Sequence, residues 1–126
     1  MELLYSFLML PLLKYNGIVI ANNVEFAKTM IAWVLGLMFR KSIEQDFAKV
    51  FVLKKPTHVN IHMLFVFFPI DVMFLDENKK VSGCTRLAPW IGYKSMKNIK
   101  YVIEMKAGTI ERYNLTSGGQ VEFQEN

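Results

Sequence analysis

The stretch FPIDVMFLDENKKV, residues 68–81, decides the fold class of this 126-residue chain. Residues 72–75 are four consecutive apolar side chains, so both faces of an extended strand would be apolar there. Such a run is typical of a strand inside a sheet that is covered on both sides. The polar residues 76–79 then predict a turn, and residues 80–87 predict the returning strand of a hairpin.

Runs of β-branched and aromatic residues lie on either side of this hairpin, separated by Pro, Gly and polar clusters. These runs predict further strands at residues 50–53, 59–68, 101–105 and 120–123. Residues 15–21 and 24–27 flank the pair Asn22-Asn23 and predict a second hairpin, because Asn tolerates the positive φ of a tight turn. Short helices are predicted at residues 29–38 and 107–113, the second with Thr109 as a possible cap.

Seven or eight short strands with two short helices predict a mainly β protein, of the β-sandwich or jelly-roll-like type. The length fits one domain. We assign residues 1–13 to an apolar N-terminal strand or extension and residues 14–126 to a single β-rich domain. If residues 1–13 are exposed, they would also fit a homodimer formed through that segment.

The net charge of +4, from 15 basic and 11 acidic residues, favours acidic partners only mildly and is ordinary for a soluble protein. No uncharged stretch reaches the roughly 18–20 apolar residues of a membrane-spanning helix. The N-terminus lacks the positive residues and the cleavage site of a signal peptide. A cytoplasmic location is therefore expected, with a membrane-associated or exported form as the alternative. The single Cys84 cannot form an internal disulfide and fits a small buried side chain better than a nucleophile.

Four motifs occur in a fixed order along the chain: GLMFR at residues 36–40, His62-Met63 followed by FPIDVMFLD, LAPW at 87–90, and VIEMKAGT at 102–109. In these motifs the sequence resembles the prokaryotic domain-of-unknown-function family 192, from about residue 14 to the C-terminus. The resemblance implies a small, mainly β, jelly-roll-like fold. It implies no activity, because the family has none assigned.

Asp71 is the most informative carboxylate, since it lies in a strongly apolar region and must be paired, hydrogen-bonded or protonated there. Arg40 closes another apolar segment and is its predicted partner. Together with His62 and Trp90, these residues define a candidate ligand-binding cleft. The leading hypothesis is a non-enzymatic domain that binds a small ligand or a protein partner there. A purely structural ion pair is the competing interpretation.

A second hypothesis is nucleic-acid binding through residues 78–100, which hold six basic residues and no acid. Cations interleaved with Trp90 and Tyr93 could neutralise phosphates and stack bases, or meet an anionic membrane surface. A solvated face has the same composition. The candidate anion contacts are Lys79, Lys80, Arg86, Lys94 and Lys97.

A third hypothesis is a small hydrolase in which His62 and Asp71 lie within hydrogen-bond reach of each other. His58 and His62 are four residues apart, but the segment is β-like, so their rings would lie roughly 13 Å apart and could not share a metal ion. No pattern indicates a cofactor. A binding role is therefore expected rather than an enzymatic one.

Overall fold

A computed structural model describes residues 12–28 and 40–125 of the chain. These residues form eight strands and one short helix. In chain order they are β1 (Leu13–Tyr15), β2 (Ile18–Ala21), β3 (Asn23–Ala27), β4 (Phe47–His62), β5 (Ile70–Leu75), β6 (Val81–Leu87), β7 (Tyr93–Lys106), α1 (Thr109–Tyr113) and β8 (Val121–Glu122). The predicted mainly β fold is confirmed. The helix predicted at residues 29–38, and all but the end of the predicted N-terminal segment, lie outside the described residues.

The strands form two sheets. The larger has five strands in the order β3-β4-β7-β5-β6, and the smaller has three in the order β2-β1-β8. All neighbours pair antiparallel except β3 and β4, which are parallel. α1 follows directly after β7. It is too short to cross a membrane, as is every helix in the part of the chain that the structure describes.

The hairpin predicted around residues 76–79 is confirmed as β5 and β6. β5 lies between β6 and β7, and all six of its residues are buried. The expectation that this strand is covered on both faces is therefore confirmed as well. Because neighbouring residues of a strand point to opposite faces, the large sheet carries an apolar cluster on each side.

The predicted hairpin around Asn22 and Asn23 is wrong. The chain turns instead at Asn16 and Gly17, whose φ angles are 48° and 82°, and β1 pairs with β2 across that turn. Asn-Gly suits a two-residue hairpin turn that needs positive φ at both positions. At Asn22 and Asn23 the chain passes to the other sheet. The backbone N–H groups of both residues donate to the carbonyl of Asp46, which directly precedes β4. β3 therefore enters the large sheet beside β4.

The first apolar cluster lies between the two sheets. The smaller sheet contributes Leu13, Tyr15 and Val121, and the larger contributes Val50, Met73, Ile103 and Met105. The second cluster lies on the opposite face of the large sheet. It contains Phe51, Val59, Met63, Val72, Phe74 and Ile99.

β7 bends sharply along its length, because the chain between β6 and β7 is too short to reach the far end of a straight strand. Leu87 pairs with Ile70, which pairs in turn with Lys106. A straight strand would place Tyr93 about 43 Å from Lys106, at ~3.3 Å per residue. The six steps from Leu87 to Tyr93 span at most about 22 Å. The first half of β7 and its partner in β4 therefore fold back over the second cluster.

We call this folded-back part the β-ribbon (residues 57–62 of β4 and 93–99 of β7). At its base the pairing slips, because Val52 pairs with Tyr101 but Thr57 pairs with Ile99. Five steps on β4 thus match two on β7, which forms a bulge that bends the strand pair. Lys100 donates from Nζ to two carbonyl groups in this bulge. It thereby satisfies acceptors that no longer have a partner on the opposite strand.

The bulge occurs at Lys54-Lys55-Pro56, where the sequence predicted the end of a strand. The break is real, but β4 continues past it to His62. The following strand was predicted to run to residue 68, whereas the chain leaves the sheet after His62. The predicted loop at residues 88–95 is correspondingly shorter and ends before Tyr93.

We expect Gly119→Ala to destabilise the protein by about 3 kcal/mol, the upper end for overpacking. A Cβ at this position would lie 2.2 Å from the Tyr15 ring. That ring cannot easily move, because its hydroxyl donates to the carbonyl of Thr116 and accepts from the Thr116 N–H. Urea unfolding measures the change. Gly83→Ala is the control, since its Cβ would meet only the flexible end of Met96; equal losses in the two variants would contradict the explanation.

Candidate functional site

The carboxylate of Asp71 is fully buried, on the same face of β5 as Met73. Arg86, its register partner on β6, donates from Nε to Oδ1 at 2.8 Å and from Nη2 to Oδ2 at 3.2 Å. The backbone N–H groups of Gly108 and Ile110 each donate to Oδ2 at 2.9 Å. The charge is therefore paired in the bidentate geometry that favours an Arg-carboxylate bridge, and both oxygens are occupied.

Asp71 also determines where α1 begins. The N–H groups in the first turn of a helix have no partner within the helix, and Asp71 accepts hydrogen bonds from two N–H groups at this point. Thr109 does not cap the helix as predicted, because its hydroxyl donates to the carbonyl of Lys106 at 2.6 Å. A carboxylate from a distant strand thus takes the place of a local capping residue.

Arg86 connects this buried carboxylate to the surface. Its Nη2 also donates to Glu111, an exposed residue of α1. Hydrogen bonds to Asp71 and then to Glu111 raise the pKa of Arg86 above its ordinary value. The same bond from Arg86 lowers the pKa of Glu111. Arg86, a predicted anion contact, is thus already bound by two carboxylates of the chain itself.

The predicted pair between Asp71 and Arg40 is wrong. Arg40 Nη2 lies 3.2 Å from Glu25 Oε1, and its guanidinium lies over the Phe47 ring, 5.1 Å from the centroid. Glu25 belongs to a row of side chains that meets β5 at Val72. Because Val72 and Asp71 are neighbours in one strand, they point to opposite faces of the sheet. Arg40 and Asp71 therefore cannot line one cleft.

His62 does not form the pair with Asp71 that a hydrolase would need. It is exposed on the β-ribbon opposite Tyr93, whereas Asp71 is buried and its oxygens are bonded to other groups. His58 lies on the same strand, as predicted, and is hydrogen-bonded to Ser95. Within residues 12–28 and 40–125, no group of three or more His, Cys, Asp or Glu side chains is arranged to hold a metal ion.

Cys84 is partly buried on β6. Burial, and secondly the negative charge of Asp71, raise the pKa of its thiol to about 11. The thiolate is the reactive form of cysteine, so the thiol at neutral pH is a poor nucleophile. This environment agrees with the small buried role predicted for Cys84.

The structure divides the basic stretch 78–100 among separate places. Lys79 Nζ donates to the carbonyl of Phe123 at 2.8 Å and lies 4.2 Å from the centroid of that ring. Arg86 and Lys100 are bonded as described above. The exposed lysines among the predicted contacts are Lys80 near the β5–β6 turn and Lys94 and Lys97 on the β-ribbon. One continuous strip of basic side chains is therefore not formed.

A row of four charged side chains crosses the second apolar face of the large sheet; we call Arg40, Glu25, Lys49 and Glu104 the charged row. Arg40 and Lys49 each lie 3.2 Å from Glu25 Oε1. Lys49 pairs in register with Glu104 of β7. Only 8% of Glu104 is exposed. Burial raises the pKa of Glu104 to about 7, although the positive charge of Lys49 opposes the shift.

Six large apolar side chains are exposed where the loops at residues 63–69 and 88–92 meet the β-ribbon. Ile91 is 85% exposed and Trp90 is 44% exposed. The rings of Phe65 and Phe67 pack against Trp90, with centroids 5.2 and 5.4 Å away. The backbone N–H of Trp90 donates to the carbonyl groups of Met63 and Val66 in the first loop, and these bonds connect the two loops. We call this the aromatic surface: Leu64, Phe65, Phe67, Trp90, Ile91 and Tyr93.

Comparison with known families identifies the chain. A model of DUF192, described as an uncharacterised ACR family, matches residues 13–123. The chain belongs to the DUF192 family. The resemblance drawn from the four sequence motifs is thereby confirmed, and the family description assigns no specific function.

Relatives of this DUF192 protein include UPF0127 proteins of archaea. One from Pyrococcus furiosus is 38% identical over 110 residues, which cover 86% of this chain and 92% of the relative. Another from Thermococcus sibiricus is 34% identical over 113 residues, or 88% of this chain and 72% of the relative. Neither name states an activity.

Two solved structures share the fold of this DUF192 protein. A candidate transcription regulator from Sinorhizobium meliloti has a TM-score of 0.79 at 20% identity, covering 90% of this chain and 92% of that one. A protein of unknown function from Novosphingobium aromaticivorans has a TM-score of 0.79 at 22% identity, covering 89% and 83%. At these identities the likeness establishes the fold alone.

Sequence reasoning about this DUF192 protein missed Glu104 and four residues of the aromatic surface, namely Leu64, Phe65, Phe67 and Ile91. Glu104 had a signal, because it is a carboxylate flanked by apolar residues inside a predicted strand at 101–105. Leu64, Phe65 and Phe67 had none. In sequence they continue a strand-like run, and only the departure of the chain from the sheet after His62 exposes them.

We expect Asp71→Ala to destabilise the DUF192 protein by about 3 kcal/mol or more, because it removes a fully buried carboxylate that accepts hydrogen bonds from Arg86 and from the start of α1. It would also leave the first turn of α1 without its acceptor. Urea unfolding at neutral pH measures the loss. Glu111→Ala, which removes the exposed partner of the same Arg86, is the matched control and should cost much less, because solvent screens exposed ion pairs. A small loss of stability in Asp71→Ala would contradict the conclusion that this carboxylate holds β5, β6 and α1 together.

Glu104 should make the protein less stable as pH rises from about 4.5 to about 7. Its pKa is about 7 in the folded protein and 4.5 when unperturbed, so folding takes up a proton in this range. Stability is then highest with the carboxyl protonated and falls by about 3 kcal/mol on ionisation. We expect Glu104→Gln to match the unaltered protein at pH 5 and to exceed its stability at pH 8. Parallel stability–pH curves for the two proteins would rule this out.

Proposed function

We propose that this DUF192 protein is a non-enzymatic docking domain that binds an anionic membrane surface through its aromatic surface. The observation that carries the proposal is the exposure of large apolar side chains, such as Ile91 at 85% and Tyr93 at 60%, beside lysines rather than acids. Of the ligand-binding residues predicted from the sequence, Trp90 takes part in this function. Arg40 and Asp71 stabilise other parts of the fold.

The backbone of the aromatic surface supports a functional role. Phe65 and Trp90 have φ angles of 61° and 66°, and a left-handed conformation costs a residue with a side chain about 1–2 kcal/mol. The other non-glycine residues with positive φ, within the described ranges, are three asparagines and one lysine. Strained bulky residues concentrate at functional sites. Here the strain holds two aromatic rings at the surface.

The charges of the neighbouring segments are entirely positive. Residues 47–70 and 78–103 contain no Asp or Glu. Exposed lysines lie on the β-ribbon, at Lys94 and Lys97, and at its base, at Lys54 and Lys55. Each lysine near an anionic leaflet contributes about 1 kcal/mol of attraction, and Trp and Tyr favour the boundary between water and hydrocarbon. The attraction of the lysines and the interfacial preference of Trp and Tyr both favour binding to an anionic membrane surface.

The apolar side chains favour lipid over nucleic acid. Bases stack on open ring faces, but the Trp90 ring is already packed against Phe65 and Phe67. Ile91, the most exposed member, has no ring, and an aliphatic side chain gains free energy mainly by leaving water for an apolar medium. A membrane surface therefore fits the composition of the aromatic surface better than a nucleic acid does.

We expect the protein to co-sediment with vesicles that contain phosphatidylglycerol, and Ile91→Ser to weaken that binding by at least about tenfold. The factor follows from the 1.5–3 kcal/mol or so that transfer of such a side chain out of water provides. Ile18→Ser is the matched control, because Ile18 is 60% exposed but lies on β2 in the smaller sheet. It should bind like the unaltered protein.

The contribution of charge is tested by reversing Lys94 and Lys97 to Glu together, with Lys80→Glu as the control outside the β-ribbon. We expect the double variant alone to lose binding, and added salt to weaken binding by the unaltered protein. Failure of the unaltered protein to bind these vesicles would refute the proposal. Binding of single-stranded DNA that depends on the same lysines but not on Ile91 would support the nucleic-acid hypothesis instead.

A further inference from the structure

Glu104 is a nearly buried carboxylate without a hydrogen-bond partner in the described part of the chain. Only 8% of the residue is exposed. The neighbouring positions across the sheet are Lys49 on β4 and Val72 on β5. An ionised carboxylate that is removed from water is stable only when donors or cations replace its hydration. Glu104 has the charge of Lys49 nearby but no donor bonded to it.

The two cations of the charged row are both directed to a different carboxylate. Arg40 Nη2 and Lys49 Nζ each lie 3.2 Å from Glu25 Oε1. Glu25 is more exposed than Glu104, yet it receives both hydrogen bonds. The charged row therefore contains one carboxylate, that of Glu104, to which no donor is bonded, and it lies at the most buried position of the row.

Glu104 is not sealed completely from solvent, since 8% of the residue is exposed. Among the described residues, no side-chain oxygen or nitrogen that is sealed from solvent lacks a hydrogen-bond partner. Since the Glu104 oxygens have no such partner, they keep some contact with solvent. The apolar side chains of Val72 and of Val102, two residues earlier on β7, belong to the cluster on this face. A donor group carried on an alkyl chain would match a nearly buried acceptor beside apolar side chains.

We propose that Glu104 is the acceptor of a binding site for a primary ammonium group on an alkyl chain, either a free amine or the side chain of a lysine in another protein. An ammonium group supplies both the missing positive charge and up to three donors. An anion would be repelled by the carboxylate, and a metal ion needs several ligands, whereas Glu104 is the one free acceptor of the charged row.

The near-neutral pKa of Glu104 gives this site a specific signature. With a pKa of about 7, the ionised fraction rises about tenfold between pH 6 and pH 8. A cation that binds the ionised form should therefore bind about tenfold more tightly at pH 8. Binding near pH 7 should release protons, which titration calorimetry in buffers of different ionisation enthalpy detects.

The test uses n-butylamine, putrescine and N-acetyl-lysine amide as probes, with n-butanol as the uncharged analogue. NMR titration of the full-length protein at pH 6 and pH 8 should show saturable shifts around β4, β5 and β7 for the amines but not for the alcohol. Binding of the free amines indicates a small-molecule ligand, whereas preference for the lysine derivative indicates a protein lysine. Glu104→Gln should abolish the shifts, while Glu122→Gln, an exposed change on β8, should retain them.

Glu104→Gln is expected to fold, because it removes only the charge of a buried group. If it does not, Glu104→Asp replaces it and should bind more weakly with the same pH dependence. The proposal is overturned if the amines bind equally well to Glu104→Gln, if butanol binds as well as butylamine, or if no amine binds at millimolar concentration at pH 8. None of these outcomes depends on binding to vesicles.

Discussion

The constraint on which the rest of the structure depends is the complete pairing of the buried Asp71 carboxylate. Removing a carboxylate from water is costly, and only several simultaneous hydrogen bonds offset that cost. Arg86 and two N–H groups at the start of α1 supply them. A slip of β5 by one residue would turn Asp71 to the other face, away from all of these donors. The carboxylate therefore fixes the register of β5 and the position of α1 together.

The second constraint is the short connection between β6 and β7, which forces the β-ribbon to fold back. This geometry gives the large sheet its second covered face and brings the loops after β4 and β6 together. The aromatic surface exists because of that meeting, and the strained Phe65 and Trp90 lie within it. The charged row lies on the same face of the sheet. Both proposed binding sites therefore depend on the closure of one strand pair, while Asp71 stabilises the opposite face.

Much of the sheet could be predicted from local patterns, because the central hairpin combines a doubly apolar strand with a strongly polar turn. The first hairpin was misplaced because Asn22-Asn23 was preferred over Asn16-Gly17, although Gly supplies positive φ at lower cost. The partner of Asp71 could not be predicted without the register of β5 against β6, which no pattern within one strand contains. The exposure of Phe65 and Ile91 depends on where the chain leaves the sheet. That point is a property of the tertiary structure rather than of any local stretch.

The smaller sheet joins strands that lie far apart in the sequence, since Lys14 pairs with Glu122 and the Tyr15 hydroxyl bonds to Thr116. A ribosome releases the N-terminal strand long before its partner has been made. β1 and β2 therefore remain a hairpin with one open edge until β8 has been made, and the cluster between the sheets cannot close before then. Topologies dominated by such distant pairings fold slowly, in milliseconds to seconds. Until β8 has been made, the nascent protein therefore has a sheet edge that other chains could pair with.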